Sequence, residues 1–190
     1  GNVVHIYQGL WDYPVKDVRG KELLFFGMIS KGKGVEHLIK AMELLPDFHL
    51  QIAGRFVDGD VERSVTNALG SGKKNISTDF RWIDEKTKKQ YFSKASIVVL
   101  PYIWGPYQSA VLHNALSYGK PVVVSDVGSL AELLNSFTLG EKVRAGDGGE
   151  LANGIKKVYA DYGSYSSGIA AYRKVADWKQ VGKEHLRLYT

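Results

Sequence analysis

The stretch Leu23-Leu24-Phe25-Phe26-Gly27-Met28-Ile29-Ser30-Lys31-Gly32-Lys33-Gly34-Val35-Glu36-His37-Leu38-Ile39 decides the architecture. Its first residues form an unbroken apolar run, which fits a strand covered on both faces, as in a parallel sheet sandwiched by helices. Gly27, Gly32 and Gly34 then permit tight turning and close backbone approach. Beyond Gly34, the residues Val35, Leu38, Ile39, Met42 and Leu45 recur at the helical period until Pro46 stops it.

The same grammar extends outward. Ile97 to Leu100 and Val122 to Val124 are further unbroken apolar runs, and Leu50 to Ala53 is an alternating one that stops at Gly54. Ile76 to Ile83, with Phe80 and Trp82 inside, reads as another strand. Between them lie helical patterns: Asp84-Glu85 to about Ser93, Gln108 to Tyr118 closing at Gly119, and Leu130 to Asn135. Leu151, Ile155, Val158 and Tyr159 mark another helix, and Trp178, Val181 and Leu188 a last one. Ser129 and Glu132 have the spacing of a capping box. Strand and helix alternating about five times predicts an α/β fold, a Rossmann-like parallel sheet with helices on both faces and right-handed crossovers. The segment Tyr162 to Ser167 is expected to separate this sheet from a C-terminal helical appendage over residues 163–190, and Val3, Val4 and Ile6 are candidates for an extra strand.

The composition suits one globular domain of 190 residues, 44% hydrophobic and 24% charged, which excludes a disordered or collagen-like chain. There is no cysteine, hence no disulfide framework, thiolate metal site or cysteine nucleophile. The opening shows no signal-peptide pattern and no apolar run reaches the ~18 residues of a membrane span, so a soluble, cytoplasmic protein is expected. The net charge of +5 favours an anionic partner without choosing one. Nucleic acid is disfavoured because no basic stripe is interleaved with aromatics.

In parallel α/β sheets, ligands sit at the carboxyl ends of the strands. That singles out Gly27 onward, Gly54-Arg55, Trp82 to Asp84, Pro101 to Ser109 and Ser125 to Gly128. The turn Gly27 to Gly34 combines glycines, a following helix N-terminus and the charge of Lys33 into a candidate phosphate cradle. It nearly matches the pattern G-x-x-x-x-G-K-[ST], but Gly34 stands where the magnesium-binding hydroxyl belongs. A Gly-rich turn without ligand is the alternative. The loop Pro101 to Ala110 offers amide N–H groups near Gln108 and Ser109 for a second anionic group, unless Trp104 and Tyr107 merely cover the sheet edge. The histidines show no metal-ligand spacing, so no metal site is expected, and only His113 is placed to face the cleft. No pair of carboxylates stands at the strand ends.

In order, these pieces resemble the C-terminal, donor-binding domain of a GT-B glycosyltransferase of group 1, over nearly the whole chain. The matching segments are Phe26-Gly27-Met28-Ile29, Lys33-Gly34-Val35-Glu36-His37-Leu38-Ile39-Lys40-Ala41, Leu50-Gln51-Ile52-Ala53-Gly54 and Tyr91 to Tyr102. The most specific is Ala115-Leu116-Ser117-Tyr118-Gly119-Lys120-Pro121-Val122-Val123, followed by Gly128 and Glu132. The resemblance implies one half of a GT-B fold, with an acceptor-binding N-terminal half outside this chain. It implies transfer of a hexose from a nucleoside diphosphate sugar to a saccharide or lipid-linked acceptor, with retention, and no cofactor beyond that donor. It further implies polysaccharide biosynthesis, is compatible with peripheral association at the inner face of the membrane, and leads us to expect the isolated domain to be inactive.

Carried over residue by residue, the family's diphosphate-holding Lys falls on Lys33, which becomes the catalytic candidate. Its companion Arg falls on Met28, and its two glutamates, eight positions apart, fall on Pro106 and Asn114. The donor-binding candidates are therefore Gly27, Met28, Gly54, Arg55, Trp82, Ile83, Gln108, Ser109, Ala110 and Asn114, with the base near Arg81, Trp82 and Ile83. The departures at Met28, Pro106 and Asn114 motivate an alternative, a catalytically degenerate domain serving as a binding or regulatory module.

Overall fold

A computed structural model describes residues 6–15, 18–70, 73–105 and 109–189. The strands are β1 (Glu22–Phe26), β2 (His49–Ala53), β3 (Ile76–Asp79), β4 (Ile97–Leu100), β5 (Val122–Ser125) and β6 (Gly140–Val143). The helices are α1 (Val35–Ala41), α2 (Gly59–Leu69), α3 (Glu85–Lys94), α4 (Ala110–Ser117), α5 (Gly128–Ser136), α6 (Gly148–Ala160), α7 (Tyr162–Val175) and α8 (Trp178–Leu186). All pairings are parallel, in the order β3-β2-β1-β4-β5-β6. This is the Rossmann-like α/β fold that the sequence predicts.

Burial explains the order. In β4 and β5 every residue is buried, and in β1 the three central residues Leu23, Leu24 and Phe25 are. These apolar runs can satisfy both faces only in the middle of the sheet. The edge strands are polar, Ile-Ser-Thr-Asp in β3 and Gly-Glu-Lys-Val in β6, which discourages pairing with another chain. The chain leaves β1 toward one edge through β2 and β3, then returns to β4 on the other side. Right-handed crossovers therefore put α1 and α2 on one face and α4 and α5 on the other. The reversal between β1 and β4 opens a crevice above their carboxyl ends, where ligands of such sheets bind.

Several expectations need correction. The third strand stops at Asp79 rather than running to Ile83. Arg81 Nε and Tyr91 Oη both donate to the Asp79 carboxylate, at 2.8 and 2.7 Å, and this clasp turns the chain out of the sheet. Helix α5 begins at Gly128 without a side-chain cap, so Ser129 and Glu132 form no capping box, and Ser129 Oγ is buried without a hydrogen-bond partner. Tyr162 to Ser167 is not a linker but the opening of α7, whose Tyr162, Tyr165, Ile169 and Tyr172 are buried. Ile6 to Gly9 forms no strand; Val3 and Val4 lie outside the described residues, and Leu10 makes only an isolated bridge to Asp177.

Candidate functional site

The site begins where β1 and β2 end. Gly27 N–H donates to Ala53 O at 2.9 Å, and Gly54 N–H to Asp79 O at 3.0 Å, so the three adjacent strands release the chain in register. Gly54 lies at φ +150°, and a Cβ there would stand 1.8 Å from Gly27 O. Only glycine fits at this crossing. A cleft of about 280 Å³ opens beside it, lined by Phe26, Gly27, Met28, Gly54, Arg55, Arg81, Trp82 and Ile83. Its rim carries an exposed Trp82 with the Arg55 guanidinium 5.2 Å from the ring centroid, a cation–π platform. Burial and the neighbouring Asp79 carboxylate push the Tyr91 phenol up to about 12, so the clasp that fixes this loop stays protonated.

A second group stands on the β4 side. The turn after β1 folds into one 3-10 turn, Lys31–Lys33, and is tied to the loop after β4 by Ile103 N–H donating to Gly32 O at 3.0 Å. Gly34, at φ +63°, lies so close to this loop that a Cβ would stand 2.0 Å from Pro101 O. The tie places Lys33 Nζ 3.5 Å from the centroid of the buried Tyr102 ring. Burial holds the Lys33 ammonium below its usual pKa. Tyr102 Oη meets Ser109 Oγ at 3.3 Å, and Ser109 caps α4 by accepting from Leu112 N–H at 3.4 Å.

The sequence-derived candidates therefore fall into two clusters. Gly27, Met28, Gly54, Arg55, Trp82 and Ile83 share the cleft. Lys33 and Ser109 are joined through Tyr102 instead, and Val111 on the first turn of α4 approaches within 3.4 Å of where a Gly27 Cβ would be, which connects the clusters. Ala110 is exposed at the start of α4, while Asn114, half-buried one turn further, does not line the cleft. Gln108, like Pro106, lies outside the described residues. Tyr102 lies in the loop Pro101 to Ala110 that the sequence singles out, but its own role is not evident there, because the pairing that reveals it joins two loops far apart in sequence.

His113 lines a smaller cavity of about 90 Å³ with Ser109, Ser129 and Glu132. Its Nδ1 lies 3.0 Å from Ser109 O, and since a carbonyl only accepts, Nδ1 carries the proton. Burial lowers its pKa below the ordinary 6.5. Below pH 6.5 the unfolded chain takes up this proton before the folded one, so stability falls as pH drops toward the lowered folded value. Melting temperatures measured across pH 5 to 7 are expected to fall toward acid, with a shallower slope for His113→Asn. An unchanged slope would contradict this.

Among the described residues no cluster of His, Asp and Glu is placed to hold a metal ion, and no helix is long and apolar enough to cross a membrane.

Comparisons with known proteins bear on the family and the fold. A family model described as glycosyl transferases group 1 matches residues 20–161. An uncharacterized glycosyltransferase of Methanocaldococcus jannaschii is 31% identical over 177 residues, which are 89% of this chain and 44% of that protein. A phosphatidyl-myo-inositol mannosyltransferase of Mycobacterium leprae is 29% identical, covering 90% of this chain and 46% of the relative. The chain thus spans just under half the length of these curated relatives. Among solved structures, Anabaena HepE in complex with UDP-glucose superposes with a TM-score of 0.72 at 19% identity, over 89% of this chain and 48% of that one. The C-terminal domain of a group 1 glycosyl transferase (LpcC) from Francisella tularensis gives 0.63 at 18% identity, covering 78% and 81%. With the family model spanning the sheet from the start of β1 to the end of α6, the chain belongs to the group 1 glycosyl transferases.

Proposed function

We propose that this chain is the donor-binding half of a glycosyltransferase that moves a hexose from a nucleoside diphosphate sugar to a saccharide or lipid-linked acceptor, with retention. The acceptor would be held by a second, N-terminal half, which leaves this half binding donor but transferring nothing. The observation that carries this reading is the pairing, at the sheet's reversal point, of one ammonium group with one capped helix N-terminus: Lys33 over Tyr102, and Ser109 at the head of α4. Helix N-termini offer free amide N–H groups and a partial positive charge, which suit phosphate oxygens.

The base then lies in the cleft by Arg55, Arg81, Trp82 and Ile83. The diphosphate passes Gly27, which carries no side chain of its own and faces Val111 on the first turn of α4, toward Lys33 and α4. As the glycosidic bond breaks, negative charge grows on the departing diphosphate. Lys33 and the fixed amides stabilise it with no reorganisation of their own. Arg55 adds positive potential on the base side, whereas Arg81 is paired with the Asp79 carboxylate. The relatives' names and the UDP-glucose held by the Anabaena protein support a nucleotide-sugar donor. Membrane association and a role in polysaccharide assembly are parts of the same proposal that concern the longer protein.

A second reading, a degenerate binding module, is favoured by Met28: the side chain in the place of the family Arg is 56% exposed at the cleft and carries no charge. Calorimetric titration of the 190-residue chain with UDP, GDP and ADP tests the first reading. Saturable binding of at least one is expected, and no heat from any at millimolar concentration would overturn it. Turnover by the longer protein would overturn the second.

A further inference from the structure

Tyr102 occupies the point where the two halves of the diphosphate cradle meet. Its ring is buried, its face lies 3.5 Å under the Lys33 ammonium, and its hydroxyl reaches the residue that caps α4. Lys33 is half-buried, and among the described residues no carboxylate forms an ion pair with it. The aromatic face is therefore what compensates the ammonium for the water it has lost. A carboxylate in this position would neutralise the charge and repel a diphosphate. A ring supplies attraction through its quadrupole and leaves the net positive charge available. Burial pushes the phenol's pKa up, so Tyr102 stays neutral and contributes no competing anion.

The hydroxyl has a separate consequence. Ser109 Oγ accepts from Leu112 N–H, and when Tyr102 Oη also donates to it, both serine lone pairs are engaged and its own proton remains free. That proton is then available to a phosphate oxygen.

We propose that Tyr102 is a positioning residue of the donor site, seating Lys33 for the diphosphate through its aromatic face and orienting the Ser109 hydroxyl. This deepens the donor-binding reading and rests on it. Tyr102→Phe keeps the face and Tyr102→Leu removes it, while both keep an apolar side chain in the buried space. Two readouts separate the roles: calorimetric affinity for UDP, or for whichever nucleoside diphosphate the wild type binds, and the NMR shift of the Lys33 ε-methylene protons, which a ring directly beneath moves upfield. The upfield shift is expected in wild type and Tyr102→Phe and absent in Tyr102→Leu. Affinity is expected to fall by about two- to threefold in Tyr102→Phe, and by roughly tenfold in Tyr102→Leu. Tyr102→Leu binding like wild type, with an unchanged amide fingerprint, would overturn this assignment alone. So would an equal loss in both variants, since the ring would then not matter. A wild-type chain that binds no nucleoside diphosphate would overturn the donor-binding reading itself, and the absence of the upfield shift would independently remove the Lys33–Tyr102 contact.

Discussion

Lys33→Ala is expected to weaken nucleoside diphosphate binding by about 10- to 100-fold, the range for losing a charge-assisted hydrogen bond in a partly desolvated site. Among the cation–ring contacts of the described residues, the positions flanking the cleft supply no second ammonium on the Tyr102 face. Met28 stands where the resemblance places a second cation, and Arg55 sits against Trp82 on the other side of Gly27. Folding should survive, since a half-buried ammonium is removed from an aromatic face without stranding a partner charge. Calorimetry on the variant checks the affinity, and a wild-type melting curve checks the fold. The effect also depends on pH. The bound diphosphate favours the charged lysine, whereas burial lowers the free Lys33 pKa. Affinity should therefore decline in alkali as pH rises through the Lys33 pKa, and this decline should be missing in Lys33→Ala. A variant that binds as tightly as wild type would mean that the anion sits elsewhere.

Gly54→Ala is expected to destabilise the fold by about 3 kcal/mol or more, through strain and overlap rather than lost burial. The position combines φ +150° with a Cβ site 1.8 Å from Gly27 O and 2.7 Å from Gly27 C. Both obstacles are backbone, so no rotamer change relieves them. For a chain of this length the loss corresponds to a fall in melting temperature of roughly 6–12 °C. Relief requires β1 and β2 to part at their carboxyl ends, which would also spread the cleft walls, so residual folded protein should bind nucleotide poorly. Thermal denaturation with and without UDP measures both. A melting temperature within about 2 °C of wild type would show that the strand ends are not packed as described.

How much of this was legible in the sequence follows from burial. The runs Leu23 to Phe26, Ile97 to Leu100 and Val122 to Val124 could be read because central strands of a parallel sheet must be apolar on both faces. Strand β6 escaped notice because Gly140-Glu141-Lys142-Val143 is an edge with only Val143 buried. Helix α2 escaped because only Val61 and Val65 are buried among its polar residues. Phe80 and Trp82 misled in the opposite direction: they are apolar but exposed, 36% and 70%, Phe80 against the Phe56 ring and Trp82 at the rim of the cleft. Ser129 and Glu132 had the right spacing for a cap, but local spacing does not record that Ser129 turns inward.

The site was legible to the same degree. Gly27 and Gly54 are required by a backbone approach that any strand-to-loop crossing of this kind imposes, and Lys33 by the Gly-rich turn around it. Arg55 and Trp82 were recoverable as residues at strand ends. Tyr102 fell within the strand-end segment Pro101 to Ser109, but its role was not recoverable, because that role depends on a contact made only when the loops after β1 and β4 come together across the sheet's reversal. The same topology that hides the pairing from local sequence patterns creates the crevice that gives it a use.

The most direct test is a crystal structure of the 190-residue chain with UDP bound. The base is expected beside Trp82 and Arg55, the diphosphate passing Gly27, and phosphate oxygens within hydrogen-bonding distance of Lys33 Nζ and the first turn of α4. Diphosphate density on another face of the sheet, or a bound nucleotide with Lys33 turned away from it, would contradict this placement.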